Sequence, residues 1–181
     1  IDDTHAGRYR NVAVRIAGST VVLPNPLKVP VLMSEFMTWL HAHSKDHPAK
    51  IAADAHFKLV SIHPFTDGNG RTARLLMNLL LMQEGLPPAL IKKEDRLKYI
   101  NAIEKGQLSG DKDDYYRVIY EGILHSFTIY LKSVDAQKYG EKTLTSAPQK
   151  LLKIGELAKA TGETVPTLRY WTWEGLLDIA S

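Results

Sequence analysis

The side chains best suited to chemistry lie in one short stretch between two helical patterns. It runs His63-Pro64-Phe65-Thr66-Asp67-Gly68-Asn69-Gly70-Arg71-Thr72-Ala73-Arg74. Glycines just before a helix let successive backbone N–H groups turn towards one point. The helix N-terminus behind them adds unpaired N–H donors and a positive dipole end. The backbone of this stretch therefore favours an anion as its ligand.

The charged side chains of the stretch indicate that the anion is a polyphosphate. Arg71 and Arg74 lie close enough on one helix to converge on a ligand, and an arginine fork can bind a pair of phosphate oxygens. Asp67 offers the hard oxygen that Mg²⁺ takes from a protein when phosphates and waters fill its other positions. His63 has an unperturbed pKa near 6.5, so its imidazole can accept a hydroxyl proton at neutral pH. The pattern predicts a polyphosphate cradle with one metal ligand and one general base.

Three other kinds of glycine-containing loop fit the stretch less well. A hairpin turn at Asp67-Gly68-Asn69-Gly70 needs strands on both sides, whereas both flanks are helical in pattern. An EF-hand loop needs carboxylates at alternate positions and a closing glutamate, and these are not present. The spacing of the P-loop, G-x-x-x-x-G-K-[ST], does not occur either.

The elements that must position this loop are mostly helical. Val12, Val14 and Ile16 alternate with other residues, and a turn at Ala17–Thr20 leads into Val21–Leu23, which predicts a small β-hairpin. Apolar residues then recur at helical spacing along most of the chain. The pattern predicts helices from Pro30, over about Pro48–Ile62, from Gly70 to near Gly85, over about Glu94–Glu104, and from near Asp113. The predicted fold class is mostly α, a helical bundle with one hairpin.

Composition sets limits on location and partners. The 181 residues contain no cysteine, which fits a cytoplasmic protein. No apolar run approaches the roughly 18 residues of a membrane span, so we expect no membrane partner. The net charge of +3 is too small to indicate nucleic-acid binding by itself. We expect a domain at 1–138, a linker at 139–149, where Gly, Thr, Ser and Pro concentrate, and a truncated small unit at 150–181.

The loop resembles the signature of the Fic (Fido) family, H-P-F-x-[DE]-G-N-G-R-x-x-R, and every fixed position matches. The resemblance extends over 7–132, because Gly7-Arg8-Tyr9-Arg10 and the hairpin are similar to the family's substrate-binding flap. The resemblance implies that the chain transfers AMP from ATP to a hydroxyl of a target protein or of itself. Removal of AMP, or transfer of another phosphate-containing group, stays open as an alternative.

The resemblance also implies roles for individual residues. His63 would deprotonate the target hydroxyl and Asp67 would hold Mg²⁺. The other implied contacts are Gly68, Asn69, Gly70, Arg71, Thr72 and Arg74 with the phosphates, Tyr99 and Gln107 with the adenosine, and Gly18, Ser19, Thr20 and Val21 with the target. An inhibitory helix of the pattern [ST]-x-x-x-E-[GN], found in many members, does not occur in this sequence. We therefore expect a fragment released from autoinhibition.

The C-terminal unit resembles the opening helix-turn-helix of MerR-type regulators. Its first helix carries Ile154, Leu157 and Ala158, and its second would present Thr167, Arg169 and Tyr170 to a DNA groove. Four basic residues, Lys150, Lys153, Lys159 and Arg169, balance four acidic ones, Glu156, Glu163, Glu174 and Asp178. The lack of net charge argues against DNA as a partner. A DNA-binding regulator that uses the larger domain as a nucleotide sensor stays open as a second reading.

Overall fold

A computed structural model describes residues 7–43, 46–140, 153–161, 164–166 and 169. The chain divides into two compact units, Ile1–Ala136 and Gln137–Ser181. The first unit contains a short 3₁₀ helix at Pro26–Lys28, the helices α1 (Val29–Ala42), α2 (Pro48–Ile62), α3 (Asn69–Gln83) and α4 (Arg96–Ser109), and most of α5 (Asp113–Gly140). The second contains α6 (Ile154–Thr161). The prediction of a mostly α fold is confirmed.

Helix α2 is the centre of the first unit. Ala49, Ala52 and Ala53 pack on one side against α3, α4 and α5, and Leu59, Val60 and Ile62 pack on the other with residues of α1. Small side chains let neighbouring helices approach closely. Gly106 has this effect on α4, on the side that faces α2. A Cβ atom added at Gly106 would lie 2.8 Å from the Phe57 ring. Both ends of the candidate loop are therefore fixed to the core, the first by α2 and the second by α3.

The bounds predicted for α2 agree with the structure, whereas those for α4 do not. Helix α4 continues five residues past the predicted end at Glu104, to Ser109. It stops where Gly110 adopts a left-handed conformation with a φ of 79°. The apolar pattern fades after Ile103, but burial of Gly106 against Phe57 keeps the last turn on the core. Among the helices in the described ranges, none is long and apolar enough to cross a bilayer.

The predicted β-hairpin at Val12–Leu23 is wrong in its secondary structure. The described residues before the 3₁₀ helix contain no strand, although the chain does turn at Gly18, whose φ is 77°. Two side chains outside the segment make hydrogen bonds with its backbone in place of those that a paired strand would have made. Arg10 donates to the carbonyls of Val12 and Pro24, and Glu104 accepts from the N–H of Thr20. The segment is thus an irregular loop with its ends held together. We call residues 12–24 the flap.

Candidate active site

His63 lies at the point where α2 ends, and its backbone turns the chain into the loop. Its φ of 53° and ψ of 59° are left-handed, and its N–H still donates to the Leu59 carbonyl at 2.9 Å. The imidazole Nδ1 lies 3.1 Å from the Val60 carbonyl oxygen. Because a carbonyl can only accept, this bond places the proton on Nδ1. Nε2 is then left with a lone pair, which is the state that a general base requires.

The surroundings of His63 favour the neutral imidazole. Burial lowers the pKa of His63 below its ordinary value, the bond to the Val60 carbonyl opposes that shift, and the positive charge of Arg10 adds to it. The ring stays half-buried, so a ligand can still reach it. At neutral pH the Nε2 atom is therefore ready to accept a proton.

Asn69 fixes the shape of the turn that follows. Its side chain is only 2% exposed, its Oδ1 accepts from the Phe65 N–H at 2.9 Å and its Nδ2 donates to the Phe65 carbonyl at 2.8 Å. Gly68, with a φ of 79°, begins α3 in a left-handed conformation. The first backbone N–H groups of α3 have no preceding turn to donate to, so they face outward as donors. The Asn69 side chain therefore stabilises the loop by bonding the Phe65 backbone, and the backbone N–H of Asn69 remains available to an anion.

The two arginines turn back towards this helix end. A Cβ atom added to Gly68 would lie 3.5 Å from a terminal nitrogen of Arg71, and one added to Gly70 would lie 3.5 Å from a terminal nitrogen of Arg74. Helical side chains lean towards the N-terminus, which explains the direction. The structure thus brings together the backbone donors and both guanidinium groups at one helix end. The hydroxyl of Thr72, in contrast, donates to the Gly68 carbonyl at 3.1 Å.

Asp67 stands at the exposed edge of the same turn. Its carboxylate is 3.2 Å from Arg71, and the two side chains are 92% and 71% exposed. An exposed ion pair of this kind contributes only about 0–1 kcal/mol, so a ligand can separate it at little cost. The described residues hold no group of three or more His, Cys, Asp or Glu that could enclose a metal ion alone. A lone carboxylate beside a phosphate site nevertheless fits Mg²⁺, which takes most of its ligands from phosphates and water.

Arg10 joins the flap to His63. It is 3% exposed and donates from Nε to the His63 carbonyl at 2.7 Å, and from its terminal nitrogens to Val12 at 3.1 Å and Pro24 at 2.6 Å. Its own N–H donates to the Pro64 carbonyl at 2.8 Å. Burial lowers the pKa of Arg10, but a guanidinium stays charged at neutral pH. One side chain therefore holds both ends of the flap and the start of the loop.

Glu104 of α4 holds the tip of the flap. Its Oε1 accepts from the Ser19 hydroxyl at 2.8 Å, the Thr20 N–H at 3.0 Å and the Thr20 hydroxyl at 3.3 Å. The bond from the Thr20 N–H, followed by that from the Ser19 hydroxyl, lowers the pKa of Glu104. The sequence placed Arg10 in the segment that resembles the flap but gave it no role of its own, and it did not single out Glu104, because the partners of both residues are remote along the chain.

The two residues expected on the adenosine side have other partners in this structure. Tyr99 is 6% exposed, and its hydroxyl lies 2.7 Å from Nε2 of His56. Gln107 donates to the Ser61 hydroxyl at 3.1 Å. Their contact with an adenosine stays a prediction. In the C-terminal unit, the predicted first helix is present as α6, whereas Thr167 and Tyr170 lie outside the described residues.

Comparison with known proteins agrees with the geometry. The Fic/DOC family model matches residues 1–81, and the model of the MerR HTH family of regulatory proteins matches residues 152–181. A protein of Culex quinquefasciatus named protein adenylyltransferase Fic is 38% identical over 90% of this chain and 31% of its own length. Its namesake in Aedes aegypti is 41% identical over 72% of this chain and 26% of its own length. The chain thus spans about a third or less of these relatives.

A solved structure shows the same relationship. Fic-1 from C. elegans matches with a TM-score of 0.67 and 34% identity, over 75% of this chain and 40% of its own. The family match, the named relatives and this fold together show that residues 1–81 belong to a Fic/DOC family domain.

Proposed function

We propose that the chain is a protein adenylyltransferase, which moves AMP from ATP to a hydroxyl of a target protein or of itself. The observation that carries this proposal is the neutral His63, with its Nε2 lone pair, at one end of a loop whose other end gathers two guanidinium groups. The name carried by the insect relatives supports it. A base and a polyphosphate site joined by one short loop suit attack of a hydroxyl on a nucleotide.

The reaction follows from these positions. Nε2 of His63 takes the proton of the target hydroxyl, and the hydroxyl oxygen forms a bond to the α-phosphorus of ATP. The bond from that phosphorus to the oxygen bridging to the β-phosphate breaks, and pyrophosphate leaves with the bonding electrons. Arg71, Arg74 and the first N–H groups of α3 stabilise the charge on the phosphates. Catalysis is then mostly positioning and charge stabilisation.

Asp67 is the residue that would hold Mg²⁺, which supplies charge neutralisation to the phosphates when bound. The flap would receive the target, with Gly18, Ser19, Thr20 and Val21 nearest the turn. The Thr20 N–H is engaged by Glu104, so an extended target has to pair with other backbone groups of the flap or displace that carboxylate. We further propose that a domain at 1–138 carries this activity, and that the linker at 139–149 and the unit at 150–181 do not. We also propose that the chain is cytoplasmic.

The pH dependence of the reaction provides one test of His63. Only the neutral imidazole accepts a proton, and burial lowers the pKa of His63. Since a lowered pKa keeps the base neutral into more acidic solution, we expect kcat/KM to fall only as the pH drops below the ordinary histidine value of about 6.5. The measurement is kcat/KM across the acidic range at constant ionic strength. A fall that begins above that value would contradict the assignment.

The position of the label in ATP provides the main test of the function. The chain is incubated with Mg²⁺ and candidate target proteins, in parallel with ATP labelled at the α-phosphate and ATP labelled at the γ-phosphate. AMP transfer leaves label on protein only from the α-labelled ATP, with release of pyrophosphate. Label from the γ-position would show phosphate transfer instead. Loss of label from a target that already carries labelled AMP would support removal of AMP, and no label in any arm would refute the proposal.

The match of residues 152–181 to the MerR HTH family favours DNA binding as a second candidate function. The even balance of charge in 150–181 opposes it, because phosphate contacts need lysine and arginine. A mobility-shift assay with random duplex DNA at low salt tests whether the chain binds DNA. A shift that disappears as salt is raised would support DNA as a partner, and free duplex at every protein concentration would exclude it.

A further inference from the structure

The tip of the flap is fastened to the helical core by a side chain that the proposed reaction does not use. One oxygen of Glu104, Oε1, accepts from the Ser19 hydroxyl at 2.8 Å, the Thr20 N–H at 3.0 Å and the Thr20 hydroxyl at 3.3 Å. Glu104 lies on α4, 84 residues along the chain from Thr20. The contact therefore joins two distant parts of the first unit, which invites the question of what it accomplishes.

Hydrogen bonds within the tip complete the arrangement. The Ser19 N–H donates to the Ile16 carbonyl at 3.1 Å, and the Val21 N–H donates to the Ser19 hydroxyl oxygen at 3.2 Å. With the Thr20 N–H on Glu104, three successive backbone donors all have acceptors. The Ser19 hydroxyl links the carboxylate to the Val21 backbone, so loss of Glu104 would release the whole tip.

The charge of Glu104 suits it to this role. The bond from the Thr20 N–H, followed by that from the Ser19 hydroxyl, lowers the pKa of Glu104, so its carboxylate is ionised at neutral pH. Hydrogen bonds to an ionised acceptor are roughly twice as strong as those between neutral groups. The carboxylate therefore remains a strong acceptor for the tip under the conditions of the reaction.

The residues that follow the tip leave their backbone donors open. Within the described part of the chain, the N–H groups of Val22 and Leu23 have no acceptor, and the Val22 side chain is 92% exposed. Pro24 comes next, and its carbonyl accepts from Arg10 at 2.6 Å. This short stretch is thus held on one side by Glu104, through the tip, and on the other by Arg10. Its free donors can pair with an extended segment of another chain.

We propose that Glu104 is a positioning residue for the target protein, which holds the flap in the conformation that receives an extended segment of that target. The described residues of the flap form no strand, so a target that met a released flap would have to order it on binding. A flap that is already fixed removes this cost from the binding step. The inference rests on the proposed function, because it takes the flap as the docking site of the target.

The carboxylate of Glu104 can be changed without removing a bond to the candidate loop. Among the described residues its hydrogen bonds go to the flap alone, whereas Arg10 also bonds the His63 carbonyl. Loss of Glu104 should therefore raise KM for the target protein and leave two quantities nearly unchanged, KM for ATP and kcat at saturating target. A residue that only stabilised the fold would not produce this division.

The first experiment measures transfer from α-labelled ATP with Mg²⁺ at increasing concentrations of target protein. We expect Glu104→Ala to raise KM for the target about tenfold, which corresponds to the cost of ordering roughly one residue. Glu104→Gln keeps an acceptor oxygen without the charge, so its KM should lie between the two. Glu121→Ala is the matched control and should leave KM unchanged, because its carboxylate also bonds α4, at Lys98 with 2.8 Å, but no residue of the flap.

Limited digestion with trypsin tests the position of the flap without any nucleotide. Trypsin cleaves after arginine, and Arg15 is an exposed residue of the flap, so the rate of cleavage after Arg15 reports how firmly the flap is held. Mass spectrometry of the fragments identifies that cut. We expect faster cleavage in Glu104→Ala, an intermediate rate in Glu104→Gln, and the unmodified rate in Glu121→Ala.

An unchanged KM for the target or an unchanged rate of cleavage in folded Glu104→Ala would overturn the inference, as would an equal change in the Glu121→Ala control. Thermal unfolding shows whether each variant is folded, and if Glu104→Ala is not, Glu104→Gln decides. Failure of the proposed function has a different signature. The unmodified chain would then transfer no α-label, whereas failure of this inference leaves that transfer intact.

Discussion

Replacement of His63 by alanine is expected to lower the rate of AMP transfer by about 10²–10⁴-fold, the range that a general base contributes. The imidazole is held by the Val60 carbonyl with its lone pair on Nε2, and alanine has no group to accept the target proton. Binding of ATP should change little, because the phosphate donors belong to the first turn of α3. The measurement is the initial rate of label transfer from α-labelled ATP at saturating nucleotide.

His43 provides a matched control for that substitution. It too lies at the end of a helix, α1, and its Nδ1 is 2.9 Å from a backbone carbonyl, that of Trp39, but it is exposed and outside the loop. His43→Ala should leave the transfer rate unchanged. Equal rates for His63→Ala and the unmodified chain would remove His63 from the reaction and require another base.

Replacement of Arg10 by alanine is expected to cost about 3 kcal/mol of unfolding free energy, because it removes a buried guanidinium and leaves three partly buried hydrogen bonds without their donor. The three carbonyls concerned belong to His63, Val12 and Pro24. The flap should separate from the loop at the same time, so the transfer rate should fall as well. Urea unfolding followed by circular dichroism measures the first effect, and the α-label assay measures the second.

Two further variants make the Arg10 prediction specific. Arg8→Ala removes an exposed guanidinium from the same segment and should be nearly neutral. Arg10→Lys keeps the charge but concentrates its donors on one nitrogen, so it should recover only part of the stability. A full recovery by lysine would mean that charge, rather than the fork of donors, is what the site requires.

The residues of the loop were predictable because their chemistry is local. His63, Gly68, Gly70, Arg71 and Arg74 lie within one turn and the start of one helix, and helical geometry fixes their convergence. The bounds of α2 were predictable for the same reason, since Pro48 and the apolar spacing mark them. Short-range patterns therefore sufficed to predict the candidate loop and the bounds of the helix that supports it.

The partners across the fold were not predictable, because they depend on distances that appear only after folding. Arg10 and His63 are separated by 53 residues, and His56 and Tyr115 by 59. The alternation of Val12, Val14 and Ile16 predicted a strand. A strand also needs a neighbouring strand to pair with, and in this structure side chains make the hydrogen bonds to this segment instead. The family resemblance predicted that Tyr99 contacts the adenosine. In the structure its hydroxyl is hydrogen-bonded to Nε2 of His56.

The left-handed backbone at His63 has a consequence for inactive chains. Among the described residues, it is the one non-glycine with a positive φ. Glycine adopts this conformation without steric cost, so His63→Gly loses the imidazole while it relieves the backbone. We expect the product of such an allele to fold normally and to bind ATP, and therefore to escape quality control. If the proposed function holds, this product competes with active copies for the target protein, so inactivation at this position should be dominant in genetic terms, whereas inactivation at Arg10 should be recessive.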